Sequence, residues 1–379
     1  MCLLTALILA ACSGSDDAGN GGSGEPAYLD VSVSSPDRIL VSRADVGDIT
    51  ASDAESMVNS LKVWVFRSDN GSLMGYASAS TTDDINTQGR QTLKMKVPNS
   101  LADNPVNVDV YAVANEASYA LTLHENTSRA ELEAAVVGSD YFGTTTLVTA
   151  VPAGGLPMSA VLKNQPLRGS FPTLRIGTDA EAATLQLTRA VSKLRFVLCR
   201  KAGEQDSSKP LVSIDDISLV KDQIPTTSWL LPRLTNGYSY SHAAVSFGGI
   251  TGPATIPEVD DPMVYAYETQ EAQAYEDMIN QAVQEGKLKQ LGLTYLRESD
   301  KQLTGTIRYT YKDGGATGPE TQTTATFVMS AAGDFLRNHS WIVYIYYMDS
   351  KIYTLTVTHV GMKSWIPDNQ DENSTFYNW

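Results

Sequence analysis

Short runs in which apolar and polar residues alternate mark most of the chain beyond Pro26. Leu29-Asp30-Val31-Ser32-Val33 alternates cleanly, and Leu61-Lys62-Val63-Trp64-Val65-Phe66 runs into a turn signal at Ser68-Asp69-Asn70-Gly71. A period of two puts every second side chain on one face, the signature of a strand half buried in a sheet. Further strands are predicted over 106–113, 185–187, 192–198, 214–220, 263–267, 304–311, 323–329, 341–347 and 353–357. Many short strands separated by polar turns point to a mostly β chain built of β-sandwiches. Helix signals are few. Ser128-Arg129-Ala130-Glu131 has the form of a capping box and opens a short helix. Over 271–290, Met278, Ala282 and Val283 share one face among Gln, Glu, Asp and Lys, which predicts an inserted amphipathic helix lying against a second domain.

The first residues follow another pattern. An apolar run from Leu3 stops at Cys12 and gives way to Ser-Gly-Ser-Asp-Asp. It is too short to cross a bilayer, which needs about 20 residues. Leu9-Ala10-Ala11-Cys12 places small residues before the cysteine, as a signal peptidase requires, so residues 1–12 are expected to be a lipoprotein export signal with Cys12 as the lipidated N-terminus. No basic stretch precedes the run, which leaves room for a start upstream of Met1. Residues 13–26, rich in Gly, Ser and Asp, have no side chains with which to build a core and are expected to form a flexible tether.

Composition narrows the choices. A chain of 379 residues can hold two domains, each with its own core. Small polar residues over 177–183 suggest the boundary, giving domains over 44–180 and 181–379. With 28 basic against 43 acidic residues and a net charge of −15, the chain is a poor partner for nucleic acid, whose affinity comes from clustered Lys and Arg. Cys2 and Cys12 both fall in the export signal, so Cys199 keeps no partner cysteine and the fold is expected to stand without disulfides. No other apolar stretch approaches spanning length, which leaves membrane attachment to the lipid on Cys12.

Several segments then occur in a telling order: Glu55-Ser-Met-Val-Asn-Ser-Leu-Lys-Val-Trp-Val-Phe66, Val110-Tyr-Ala-Val-Ala-Asn115, Leu156-Pro-Met-Ser159, Leu187-Thr-Arg-Ala-Val-Ser-Lys-Leu194 and Phe335-Leu-Arg-Asn-His-Ser-Trp-Ile-Val-Tyr344. A tyrosine-rich strand and Val360-Gly-Met-Lys-Ser-Trp365 follow the last of them. Together they resemble the fimbrillin family of Bacteroidales, the FimA- and Mfa-like type V pilins. The resemblance implies two β-sandwich domains of Greek-key, transthyretin-like form. It also implies an outer-membrane lipoprotein precursor, trimmed by an Arg-specific protease and joined to other fimbrial subunits on the cell surface by strand exchange, in support of adhesion or biofilm formation. Residues 27–43 then correspond to a removable first strand, with cleavage between Arg43 and Ala44, where small polar residues flank the arginine. Arg38 competes as a site, but Pro36 before it and Ile39-Leu40-Val41 after it read as structured chain. Donor-strand candidates lie at the other end: Thr354, Val357 and Trp365, followed by a tail whose Phe376, Tyr377 and Trp379 either enter a neighbour or fold back on their own domain.

Motifs for other chemistry fail on context. Gly19-Asn-Gly-Gly-Ser-Gly24 fits a dinucleotide loop but lies in the tether, and Ser218-Leu-Val-Lys221 fits an acyl-enzyme motif at the end of a predicted strand. His124, His242, His339 and His359 are far apart in sequence, and the neighbouring carboxylates Asp215-Asp216 and Asp260-Asp261 would point to opposite faces of a strand. The acidic run Asp368 to Glu372 lacks the spacing of a calcium loop. No catalytic residue, metal ligand or cofactor is expected. A non-polymerising surface lipoprotein or tip adhesin for carbohydrate or host protein is the alternative, and a cell-envelope hydrolase a more distant one.

Overall fold

The structure, a computed structural model, describes residues 26–36, 53–79, 81–103, 106–119, 121–137, 150–178, 182–203, 208–219, 223–225, 228–232, 247–252, 255–266, 272–329, 337–360 and 375–378. Most strand signals become sheets. The first half holds β1 (Ala27–Ser34), β2 (Leu61–Arg67), β3 (Leu73–Ser78), β4 (Arg90–Val97), β5 (Asn107–Ala114), β6 (Val136–Val137), β7 (Met158–Ser170), β8 (Thr173–Ile176), β9 (Thr184–Gln186) and β10 (Thr188–Arg189). Four short helices lie among them: α1 (Asp53–Ser56), α2 (Asp83–Gln88), α3 (Ser100–Asp103) and α4 (Arg129–Ala134). The second half holds β11 (Val191–Lys201), β12 (Leu211–Leu219), β13 (Ser228–Trp229), β14 (Phe247–Ile250), β15 (Glu258–Val259), α5 (Ala272–Gln284), β16 (Lys289–Arg297), β17 (Thr304–Lys312), β18 (Glu320–Val328), β19 (His339–Met348), β20 (Lys351–Val360) and β21 (Thr375–Asn378).

The strands of the first half join in the order β3-β2-β5-β7-β8-β1-β4, with β9 beside β1 and β10 beside β7. The long β7 pairs with β5 through its first part and with β8 through its last, so one strand serves both layers of a sandwich. Strand alternation fills the space between the layers with Leu29, Val31, Val63, Val65, Val110, Leu174 and their neighbours. Pairing with this sheet continues through β9 and β10 to Arg189, past the expected boundary at 180. The capping box at α4 forms as the sequence suggests: Ser128 Oγ accepts from the Glu131 amide at 3.2 Å, and Glu131 Oε2 accepts from the Ser128 amide at 2.7 Å.

In the second half a six-stranded sheet, with β15 and β16 both against β11 and then β19, β20 and β21, faces the four-stranded sheet β14-β12-β17-β18. Leu194, Phe196, Leu198, Trp341 and Val343 meet Ile214, Ile217, Ile307 and Phe327 between them. The other face of the six-stranded sheet carries α5, whose Tyr275, Ile279 and Ala282 pack with Val197, Cys199 and Tyr344. The helix is shorter than the predicted 271–290: Gly286 takes a φ of 73°, and the chain turns into β16. The strand predicted over 263–267 is absent from its described part. Pro262 has no amide for a ladder and Asp261 accepts from the Met263 amide at 2.9 Å, so Pro262–Tyr265 winds into a 3-10 turn.

Gly305 of β17 lies between its own sheet neighbours, opposite Leu219 of β12 and Phe327 of β18. A Cβ there would sit 2.2 Å from Phe327 Cζ and 2.6 Å from the Ser218 carbonyl oxygen. Gly305→Ala is expected to destabilise the chain by about 1–3 kcal/mol through overpacking, read as a lower urea midpoint.

Candidate functional site: the seat of the first strand

The segment expected to be removable is built into the middle of a sheet. β1 pairs antiparallel with β4 along its full length, from Ala27 opposite Val97 to Ser34 opposite Arg90. On its other side it runs parallel to β8, with Tyr28, Leu29 and Asp30 beside Thr173, Leu174 and Arg175, and then to β9 beside Thr184, Leu185 and Gln186. Alternation sends Ala27, Leu29, Val31 and Val33 inward, each no more than 1% exposed. Both ends are fastened. The Ala27 amide donates to Asn99 Oδ1 at 2.7 Å and the Tyr28 amide to the Pro172 carbonyl at 2.8 Å, while the Ser35 amide reaches the Gly89 carbonyl at 2.9 Å.

This seat has a definite chemistry when considered without its strand. Among the described residues β4 joins the sheet only through β1, so losing β1 strips β4 of its ladder and bares the facing edges of β8 and β9. It also opens a trough floored by Leu93, Met95, Leu174 and Leu185. Each aliphatic side chain that leaves such a trough gives up about 1.5–3 kcal/mol of burial. An extended segment with alternate apolar residues restores both the hydrogen bonds and the burial, as strand addition does at other sheet edges.

One match with a known family falls on this half of the chain. Residues 27–189, from the first residue of β1 to the last of β10, match the family described as major fimbrial subunit protein (FimA). This segment is thus similar to the FimA fimbrial subunits. A Parabacteroides distasonis structure, described as a candidate cell adhesion protein, superposes with a TM-score of 0.51 at 15% identity, covering 93% of this chain and 96% of its own. It shows that the shared fold extends over nearly the whole chain. A Bacteroides eggerthii structure of similar description gives 0.49 at 12% identity over 90% of this chain and 98% of that one. The C-terminally truncated tip fimbrial protein Mfa3 of Porphyromonas gingivalis gives 0.41 at 14% over 94% and 100%. No curated protein sequence matches.

Three of the segments that carry the fimbrial resemblance meet in space, at a buried polar junction between the two sandwiches. Arg189 is fully buried: its Nε donates to the Glu55 carbonyl at 2.9 Å, one terminal nitrogen to Asn338 Oδ1 at 3.1 Å and the other to Ser56 Oγ at 3.0 Å. The Glu55 carboxylate accepts from Lys193 Nζ, 2.9 Å away, and from the Tyr295 hydroxyl. Nearby, Arg337 forks onto Glu298 at 2.8 and 2.6 Å and donates to the Leu230 and Trp229 carbonyls. The segments are legible one by one in the sequence, but the meeting of Glu55, Arg189, Lys193, Asn338 and, from outside them, Tyr295 is not. Polar residues scattered over 284 positions give no local signal of a shared site.

Other predicted residues fall as follows. Cys12, Arg43, Ala44, Trp365 and Trp379 lie outside the described residues. Thr354 and Val357 are inside β20, opposite Ile345 and Ile342 of β19. The backbone of Phe376 and Tyr377 pairs with Val357 and Thr356 in β21, so this part of the tail lies on its own sheet. Cys199 is buried against the Tyr344 hydroxyl at 3.0 Å, and burial pushes its thiol up to about 12. Asp215 accepts from Ser213, Thr310 and Gln322, a structural role on β12. Among the described residues no group of three or more His, Cys, Asp or Glu could hold a metal ion.

Burial alone would push the Glu55 carboxyl up, but the Lys193 charge, the Tyr295 hydroxyl and the Arg189 charge outweigh it and hold the group below its ordinary value of 4.5. A carboxylate held low in the folded state stabilises it above the unfolded pKa, and that contribution is lost as pH falls through the folded one. Glu55→Gln is therefore expected to cost about 3 kcal/mol at pH 7 in chemical melts. It should also flatten the loss of stability that the wild type shows below about pH 4.5.

Proposed function

We propose that this chain is a structural, non-enzymatic subunit of a cell-surface fimbria, made as an outer-membrane lipoprotein and polymerised by strand exchange. Export begins with the signal ending at Cys12, and the tether over 13–26 holds the folded part off the membrane. An Arg-specific protease cuts between Arg43 and Ala44, and residues 27–43 leave with the lipid. The body then runs over 44–180 and 181–379, and a strand of a neighbouring subunit takes the vacant seat. In return the chain offers its own C-terminal segment to the next subunit. Trp365, Phe376, Tyr377 and Trp379 lie beyond β20, so the tail can leave its sheet while Thr354 and Val357 stay paired with β19.

The observation that carries this reading is the position of β1, interior to its sheet and yet at the N-terminal end of the described chain. A strand there can be withdrawn without threading any other element. The FimA family match over 27–189 supports the same role. In sequence, cleavage falls shortly before α1, where Arg189 and Lys193 hold Glu55.

Treating the purified full-length chain with an Arg-specific protease is expected to give a new N-terminus at Ala44 and a denaturant-resistant ladder on gels. Arg43→Ala should remain a full-length monomer under the same treatment. A wild-type chain that is fully cut at Ala44 and stays monomeric would overturn the polymer reading.

A further inference from the structure

The seat of β1 has two ends, and they differ. At the Ser34 end the strand runs into the rest of the molecule. The Leu187 amide donates to the Ser34 carbonyl at 3.1 Å, and β9 leads on through β10 to the buried junction at Arg189 and into β11, the first strand of the second sandwich. β7 starts at that junction, where Met158 and Ser159 pair with Arg189 and Thr188, and ends at Ser170, beside the other end of the seat. The Ala27 end is therefore the pole of the first sandwich that points away from the second. One row of residues crosses it. Extending the registers one residue past Ala27 sets Pro26 between Pro98, which follows β4, and Phe171, which with Pro172 forms the tip of the β7–β8 hairpin. Phe171 is 47% exposed, and Pro98 and Pro172 are exposed with it. The row carries no charge, and its prolines have no amide with which to continue the ladder. Single exposed apolar residues need no partner, but a group of them in one place marks a contact surface.

We propose that this pole is the contact face for a second copy of the chain, the copy whose strand fills the seat, with Phe171 as the anchor. The neighbour has to approach from here, because at the Ser34 end the chain's own second sandwich is in the way. While β1 is in place the chain enters its body through Pro26, in the middle of the row. Withdrawal of β1 takes Pro26 with it and leaves Pro98, Phe171 and Pro172 as the rim of an open mouth. The cut that empties the seat thus also frees the pole. Strand entry supplies backbone hydrogen bonds, and the rim supplies apolar contact outside the seat. Aromatic side chains are enriched at the centres of interfaces. Proline rings, and a side chain at the tip of a two-residue hairpin, have little freedom to lose on docking, which lowers the cost of association.

This inference rests on the strand-exchange reading, and two readouts keep them apart. The full chain and its Phe171→Asp variant are cut by an Arg-specific protease and freed of β1 by mild denaturant. Uptake of a labelled peptide copying Pro26–Ser35 reads the seat, and the concentration at half-assembly, measured by sedimentation, reads the contact between copies. Phe171→Asp is expected to take up the peptide within about twofold of the wild type and to raise the half-assembly concentration about tenfold. Phe171→Leu, which keeps an apolar tip, should raise it no more than about threefold. In a second measurement Phe171 is replaced by photoreactive benzoylphenylalanine, and irradiation of the fibre is expected to cross-link it to a neighbouring copy. Assembly of Phe171→Asp at the wild-type concentration, or cross-links confined to the same chain, would overturn the contact while leaving strand exchange standing. If the cut wild-type chain neither takes up peptide nor assembles, the strand-exchange reading falls, and this contact with it.

Discussion

Backbone hydrogen bonding on both edges of β1 is the constraint on which the first sandwich depends. A strand interior to a sheet cannot be removed without leaving two rows of unpaired amides and carbonyls, and buried or apolar surroundings make such rows expensive. Here the dependence is sharpened because β4 reaches the rest of its sheet through β1. The same geometry that makes β1 structurally necessary makes its seat a strong acceptor for a replacement. On the proposed function, stability and assembly draw on one set of hydrogen bonds.

The buried junction of Glu55, Arg189, Lys193, Tyr295 and Asn338 has a complementary part. It ties α1, β10 and β11 to β16 and to the start of β19, elements of both sandwiches. Buried ion pairs add little net stability over apolar packing, but breaking one leaves a charge stranded, so they fix one arrangement against others. In the proposed fibre, load entering at the β1 seat would reach the C-terminal sheet through β11, which pairs along its length with β19. A junction with a single satisfied arrangement suits that duty.

Much of this was legible in the sequence where local pattern decides the outcome. Leu29-Asp30-Val31-Ser32-Val33 alternates because one face of β1 is buried, and the capping box at Ser128 acts over three residues. Where longer-range geometry decides, local pattern was a poorer guide. Met263 to Tyr267 has strand-like composition, yet the proline and aspartate before it turn the chain into a 3-10 helix. Arg90 to Val97 alternates as well as β1 does, with Leu93, Met95 and Val97 buried, and was readable as a strand from that signal alone. That β1 would lie between β4 and β8, and that Asp30 would face Lys94 and Arg175, depends on registers between residues tens to more than a hundred positions apart. No local signal encodes those neighbours.

On the proposed function, the hydrogen bonds made by β1 are handed to another strand on assembly. Hydrogen–deuterium exchange of the β4 amides follows that exchange of partners directly, measured on the intact monomer, the protease-cut chain stripped of β1 by mild denaturant, and the assembled fibre. Protection in the monomer, its loss once β1 is gone, and its return in the fibre with residues 27–34 absent from the sample are expected. Protected β4 amides in a fibre that still retains its own residues 27–34 would contradict it.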